Sequence, residues 1–154
     1  MKIKQLHLNI TENHDTKLQE TYSQFNQLIF ELRKKELPED LIIRLNGEIE
    51  KIYLRDNTEK NLRKDIKKTQ ASILKTLEKE VKIVPKNYYQ NLWLALGMTI
   101  FGIPFGIALG TSLGNAGFSG VGLPIGMGVG IAIGSEKDKK ALAEGRQLDI
   151  KIRS

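Results

Sequence analysis

The chain has 154 residues, of which 24 are Lys or Arg and 18 are Asp or Glu, so its net charge is +6. It contains no cysteine, which excludes disulfides, thiolate metal sites and thiol nucleophiles. Residues 87–135 contain no Asp, Glu, Lys, Arg or His, although the mean hydropathy of the whole chain is -0.29. Charged and uncharged residues are therefore segregated along the chain.

Both ends of the chain show a weak strand pattern. Apolar residues alternate with polar ones at Leu6, Leu8 and Ile10 and again at Leu148, Ile150 and Ile152. A period of two is typical of a β-strand, so the pattern predicts short terminal strands that pair with each other or with neighbouring subunits. Polar residues interrupt residues 1–15 too often for a signal peptide, and we expect this part to remain in the cytoplasm.

Residues 11–84 show helical spacing instead. Three helices are predicted, at about residues 11–36, 38–55 and 56–84. Their apolar residues recur every three or four positions: Leu18, Tyr22, Phe25, Ile29 and Leu32; then Ile42, Leu45, Ile49 and Ile52; then Leu62, Ile66, Ile73, Leu77 and Val81. Asp56 with Glu59 is a candidate capping motif, with a continuous helix as the alternative. The narrow stripes predict an antiparallel helical bundle or a multimeric coiled-coil stalk.

The surplus of positive charge lies next to the uncharged segment. Residues 59–86 contain nine basic and four acidic residues, which accounts for most of the net charge. A basic stretch in this position predicts attraction to anionic lipid headgroups, with a solvated helix face as the equal alternative. Nucleic acid is not an expected partner, because no aromatic residues are interleaved with the basic ones and no reading motif is present.

Three aromatic residues, Tyr88, Tyr89 and Trp93, precede the first apolar run. Rings with a polar edge favour the boundary between membrane and water, so these residues are predicted to lie at a membrane interface, with a small aromatic core as the alternative. Residues 92–134 follow, about twice the roughly 20 residues that cross a bilayer as a helix. Turn residues at 114–120 would divide them into spans at about 92–113 and 118–135.

Small residues recur through both spans. Glycines are spaced by four at Gly102, Gly106, Gly110 and Gly114 and again at Gly122, Gly126, Gly130 and Gly134. They permit the close backbone approach by which helices associate in lipid, so they are the predicted helix-packing residues. A second small row lies about 200° around each helix, at Pro104, Ala108 and Ser112 and at Pro124, Gly128 and Ala132. Two smooth faces predict one contact within the hairpin and another with a neighbouring subunit, and a ring is the simplest closed assembly.

The same residues also alternate between large and small, which is the pattern of a β-strand. An open sheet leaves backbone groups without partners in lipid, so only a multi-chain barrel or a stacked assembly would accommodate such strands. Helices are therefore the favoured interpretation.

Three features together resemble small prokaryotic glycine-zipper membrane proteins with two spans, a group that is itself uncharacterised. They are residues 87–93 (Asn-Tyr-Tyr-Gln-Asn-Leu-Trp), the glycine-spaced spans with their Gly-Asn turn, and the charged stretch at residues 136–148. The resemblance is confined to residues 87–148. It implies a helical hairpin in the membrane and supplies no activity.

The predicted organisation is all-α, with a cytoplasmic helical arm at residues 1–84, a two-span transmembrane hairpin at 85–136 and a cytoplasmic basic tail at 137–154. Lysines and arginines flank both ends of the hairpin, so both termini are expected on the cytoplasmic side of the inner membrane. No cofactor, metal site or catalytic group is predicted. His7 and His14 lie apart in polar surroundings, and the glycine-rich run lacks the Lys-Ser/Thr of a phosphate loop.

Two functional hypotheses follow from this organisation. The first is a homo-oligomer whose glycine-packed helices enclose a pore in the membrane. The second is a membrane-anchored scaffold whose helical arm binds a protein partner of unknown identity. A soluble enzyme is not expected, because no catalytic grouping can be recognised in the sequence.

Overall fold

The computed structural model describes residues 2–8, 15–53 and 58–152 of the protein. Of these residues, 77% lie in helices and 3% in strands, which confirms the all-α class. The chain divides into two compact units: Met1–Val84 and Leu148–Ser154 form the first, and Pro85–Gln147 form the second. The predictions that concern Ile10, His14 and the Asp56 cap lie outside the described residues.

Three helices build the first unit: α1 (Thr16–Leu32), α2 (Glu39–Tyr53) and α3 (Glu59–Val81). The helix α3 packs against both α1 and α2. Their apolar stripes meet in one core, where the fully buried side chains include Phe25, Ile29, Leu45, Ile49, Ile66 and Ile73. These stripes cover one another within a single chain. Of the two predicted arrangements, a bundle and a multimeric stalk, the first unit therefore has the bundle.

Local chemistry sets the ends of these helices. The carboxylate of Asp15 accepts the N–H of Lys17 (3.1 Å) at the start of α1. Acidic residues occupy the first turn of α2, where their charge suits the helix dipole. The helix α3 ends at Val81, since Lys82 adopts a left-handed conformation with φ 56° before Pro85 is reached.

Residues 2–8 form no strand, and their backbone is bound by side chains of α1 and α2. Nε and Nη2 of Arg33, the residue that follows α1, both donate to the carbonyl of Ile3, at 2.8 and 2.6 Å. The hydroxyl of Tyr22 donates to the carbonyl of Leu6 at 2.8 Å. Side chains thus take the place that a neighbouring strand would have.

The helix α2 supplies the other half of this contact. Asn46 accepts the N–H of Lys4 through Oδ1 at 2.7 Å, and the hydroxyl of Tyr53 accepts the N–H of His7 at 2.7 Å. The buried apolar residues of the segment, Ile3 and Leu6, are three positions apart rather than two. The predicted amino-terminal strand is therefore wrong over residues 2–8, because the helices satisfy the backbone groups that a strand would have paired.

At the other end of the chain a short strand is present. Gln147–Leu148 (β2) pairs with Val84–Pro85 (β1), so the partner of β2 is not the amino-terminal segment. Leu148 and Ile150 are buried in the core of the first unit, at 1% and 3% exposure. The described residues after Gln147 thus belong to the bundle.

The second unit contains two long helical segments. The first segment runs through α4 (Tyr88–Gly97), a π-helical turn (Met98–Gly102) and α5 (Ile103–Ser112). The second runs through a 3₁₀ turn (Ala116–Val121) and α6 (Gly122–Ala143). Gly114 lies between them with φ 62°, a conformation that glycine adopts without strain. The chain therefore reverses over a shorter stretch than the seven residues of the predicted turn.

Candidate membrane-spanning helices and their packing face

Two helical segments of the second unit are long and apolar enough to cross a membrane: Tyr88–Ser112, with 25 residues, and Ala116–Ala143, with 28. At about 1.5 Å per residue, each exceeds the ~30 Å hydrocarbon core of a bilayer. Only 17% of the most apolar part of each segment is buried within the protein. Their side chains are mostly uncovered, unlike those of a core helix in a water-soluble fold.

Burial in the second unit is inverted relative to the first unit. Large apolar side chains are exposed, namely Ile100, Phe101, Ile103, Phe105, Ile107, Leu113, Phe118, Val121, Leu123, Ile125 and Val129. Glycines are buried instead, namely Gly97, Gly102, Gly106, Gly110, Gly122, Gly126, Gly130 and Gly134. Water disfavours the exposure of so much apolar surface, whereas lipid solvates it.

The buried glycines lie where the two segments pass each other in opposite directions. A Cβ atom added at Gly126 would lie 2.4 Å from the carbonyl oxygen of Gly97 and 2.6 Å from the backbone nitrogen of Gly102. One added at Gly134 would lie 2.5 Å from the Cα atom of Gln90. Backbone therefore contacts backbone at these positions, and a methyl group would force the helices apart.

A π-helical turn sets the register of this contact. Gly97 lies five residues before Gly102, a spacing that rotates it about 140° away in a regular α-helix. In the turn Met98–Gly102 the N–H of Ile103 bonds to the carbonyl of Met98, five residues back. The wider turn absorbs one residue, so both glycines face the second segment.

The glycines of the contact differ from the predicted row at its two ends. Gly114 lies in the turn, and a Cβ atom added there would contact no other part of the protein within 4 Å. The close contact at the other end is made by Gly97, which the sequence pattern did not reveal because its spacing is five. A search that allowed one π-helical turn could have found it.

The second row of small residues is exposed on both segments. It comprises Pro104, Ala108, Ser112, Pro124, Gly128 and Ala132. A Cβ atom added at Gly128 would meet nothing within 4 Å. The face opposite the glycine contact is therefore open at Gly128 in the single chain.

The glycine row of α6 ends in a carboxylate. Asp138 comes four residues after Gly134 and is 8% exposed. Its two carboxylate oxygens accept the backbone N–H groups of Tyr89 (3.1 Å) and Gln90 (2.9 Å). It thereby caps the first turn of α4, where Asn87 makes no side-chain cap. Sequence reasoning missed Asp138, although its spacing of four from Gly134 continues the row.

The three predicted interface aromatics lie near the same end of the helix pair. The rings of Tyr88 and Tyr89 meet edge to face with their centroids 5.3 Å apart. Lys137 Nζ lies 5.9 Å from the ring centroid of Tyr89 and 5.5 Å from that of Trp93, within the range of a cation–π contact. The fold thus brings these rings together with a cation, in the mixed apolar and polar setting that suits a membrane boundary.

The threonine hydroxyl groups of the first segment bond within their own helix. Thr99 Oγ1 donates to the carbonyl of Ala95 at 3.2 Å, and Thr111 Oγ1 donates to the carbonyl of Ile107 at 2.9 Å. These hydroxyls therefore add little polarity to the outer surface of the helix pair.

A contact between three charged side chains of the first unit joins α2 to α3. Arg44 Nη1 donates to Glu80 Oε1 at 2.6 Å, and Arg44 Nη2 lies 3.3 Å from Asp40 Oδ2. The hydrogen bond from Arg44 lowers the pKa of Glu80, and the same bond raises the pKa of Arg44. Within residues 2–8, 15–53 and 58–152, no cluster of three or more His, Asp or Glu side chains could hold a metal ion.

Comparisons with protein-family models, with curated proteins and with solved structures find no match to this chain. The resemblance to glycine-zipper membrane proteins therefore stays a prediction. A function has to be argued from the packing and burial of the helices themselves.

Proposed function

We propose that the protein is an integral membrane protein whose second unit crosses the bilayer twice as a helical hairpin and self-associates through its exposed row of small residues. The inverted burial of the second unit carries this proposal, since glycine backbone lies inside and large apolar side chains lie outside. Lipid tails solvate such a surface, while the close glycine contacts supply the packing that holds helices together in lipid.

Self-association is supported by the second row of small residues. On α6 this row includes Gly128 and Ala132, both exposed, and an added Cβ at Gly128 meets nothing. In lipid, helices associate where small residues let two backbones approach. A second copy of the chain presents the same row, so a closed, symmetric assembly of hairpins buries it on every copy.

Replacing Gly128 by leucine tests this contact. Gly128→Leu fills the row, so the purified protein in mild detergent should fall from an oligomer to a monomer. Val129→Leu is the matched control, because Val129 already presents an exposed apolar side chain and its enlargement leaves the row open. Light scattering after size exclusion measures the mass. Self-association through this row is wrong if the wild type is monomeric or if Gly128→Leu keeps the wild-type mass.

Membrane insertion is tested separately on the wild-type chain. The protein should sediment with membranes and resist extraction at alkaline pH, because about 20 apolar residues per helix hold it in the bilayer. A folded chain that stays in the supernatant without detergent would remove the basis of the proposal.

Between the two roles of such an assembly, the scaffold is favoured over the pore. The hydroxyls of Thr99 and Thr111 bond within their own helix, so a channel between the hairpins would have mainly apolar walls. The first unit has a closed core and can present a folded surface to a protein partner. Purified protein in liposomes should therefore retain an enclosed dye, whereas rapid dye release would establish the pore instead.

The proposed orientation puts both termini on the cytoplasmic side of the inner membrane. Basic residues flank the hairpin on both sides, at Lys82 and Lys86 and at Lys137, Lys139 and Lys140. Such residues remain on the cytoplasmic side during insertion. The chain lacks cysteine, so Gly120→Cys in the turn should react with an impermeant maleimide added outside intact cells, and Lys35→Cys only after lysis. The reverse result would invert the orientation.

A further inference from the structure

The helix α3 carries a row of lysines on one side. Its members are Lys60, Lys64, Lys67, Lys68, Lys75 and Lys79, here called the lysine face. At 100° per residue they fall within an arc of about 120°, and they extend for about 29 Å along the helix. The residues that pack into the core, such as Ile66, Ile73 and Leu77, lie on the opposite side.

The lysine face is exposed, and its six positive charges have one acidic residue among them. All six lysines are exposed. The ion pairs among the residues that the structure describes include none of them. The one acidic residue within the arc is Glu78, and it faces Lys82 at 3.6 Å. Glu80 lies outside the arc and is held by Arg44. Six like charges along one helix repel one another, and a surface of opposite charge relieves this repulsion.

The residue types on the lysine face and its place in the chain indicate the kind of partner. No aromatic residue lies among the lysines, so the face cannot stack nucleic-acid bases. Lysine is a flexible point charge, which suits mobile phosphate groups better than one fixed partner. The chain continues from α3 to a helix that is long and apolar enough to cross a membrane, and it begins at Tyr88. We propose that the lysine face of α3 binds the anionic headgroups of a lipid bilayer, an inference that rests on the proposed membrane insertion.

Acetylation of lysines measures this contact in the full chain. The protein is placed in lipid nanodiscs of phosphatidylcholine alone or of an equimolar mixture with phosphatidylglycerol, and the acetylation rate of each lysine is read by mass spectrometry. In the anionic discs the six lysines should react about fivefold more slowly, a factor that corresponds to the attraction of one lysine to an anionic surface. High salt should restore the rates, because it screens charges at an interface.

The control residues lie on the same molecule. Lys17 on α1 and Lys51 on α2 are exposed and lie outside the lysine face, so their rates should be the same in both kinds of disc. A uniform slowing of all lysines would overturn the proposal, since it would reflect the surface potential alone. Equal rates for the lysine face in both discs would also overturn it, although incorporation into the discs would leave the membrane proposal intact.

Failure of the proposed function has a different signature. If the chain stays in solution and enters neither kind of disc, the proposed membrane insertion is wrong. The lysine face is then tested by measuring acetylation of the soluble chain in the presence of vesicles of both compositions. Selective protection by the anionic vesicles then supports the lysine face alone, and equal rates overturn both proposals. If RNA protects the lysine face and anionic lipid does not, the partner is a nucleic acid and the inference is wrong.

Discussion

A single methyl group decides whether the two long helices can approach each other. At Gly126 an added Cβ would meet backbone atoms of Gly97 and Gly102 at 2.4 and 2.6 Å, and backbone cannot move aside as a flexible side chain can. At Gly128, two residues away on the same helix, the space is empty. Two glycines of the same helix therefore have different roles, because one faces the other helix and the other does not.

Gly126→Ala should therefore destabilise the helix pair by about 1–3 kcal/mol, the usual cost of overpacking a filled contact. In the monomeric hairpin, at protein dilution that separates the copies, Gly128→Ala should be neutral or slightly stabilising, because alanine favours the helix and meets no neighbour in its own chain. Unfolding in mixed micelles, followed by far-UV circular dichroism, measures both changes. Equal effects of the two substitutions would contradict the packing face described above.

Asp138 is the second residue on which the helix pair depends. Asp138→Ala removes the acceptor of the N–H groups of Tyr89 and Gln90, and a buried donor without a partner costs about 1–3 kcal/mol. Hydrogen exchange at these two amides should accelerate. Glu136→Ala is the matched control, since Glu136 is exposed and bonds only Lys139 among the described residues. Unchanged exchange in Asp138→Ala would mean that another group caps α4.

Among the helices, the π-helical turn is the element with the clearest mechanical role. Pro104 follows it and has no N–H to bond to the preceding turn, so the helix is already interrupted there. The wider turn takes up one residue, and this lets Gly97 and Gly102 face the same partner at a spacing of five. By contrast, the equivalent Pro124 lies in the first turn of α6, where no N–H is needed. The two similar sequences thus have different local structures.

Deletion of Ile100 should be tolerated, because it converts the π-helical turn into a regular one and leaves the glycines on the packing face. Deletion of Ile107 should unfold the helix pair, because it rotates every residue on one side of it by about 100° relative to the other side. The two isoleucines are matched in exposure, at 54% and 55%. Resistance of the hairpin to protease in micelles distinguishes them. Equal sensitivity would mean that the turn does not set the register.

The folded chain contains two units with opposite rules of burial. In the first unit large apolar side chains fill the core and most charged side chains lie outside, as in a water-soluble bundle. In the second unit glycines are inside and large apolar side chains are outside. The helical class and the segregation of charge could be predicted from local spacing. The bonds between residues 2–8 and the helices could not, because Arg33 and Asn46 lie far along the chain from the groups that they bind.

The stability of the first unit should depend on pH through Glu80. Arg44 holds the pKa of Glu80 below its ordinary value of 4.5, so the stabilisation is present above about pH 4.5 and is lost as the pH falls through the lowered pKa. Glu80→Gln should lower the thermal midpoint at neutral pH and reduce its further loss in acid. Glu36→Gln, at an exposed position, is the control and should leave the profile unchanged. Identical profiles for both variants would show that the pair with Arg44 does not contribute.

The amino-acid sequence by itself determined the helical class, the uncharged segment at residues 87–135 and the small-residue rows, because periodicity and composition depend only on neighbouring residues. Tertiary structure decided which small residues touch. It put Gly97 in the contact and gave Asp138 its role as a cap. It also excluded from the contact Gly114, which the sequence had predicted for both the turn and the packing row. These outcomes depend on the register between segments that are far apart in sequence, and no local pattern specifies that register.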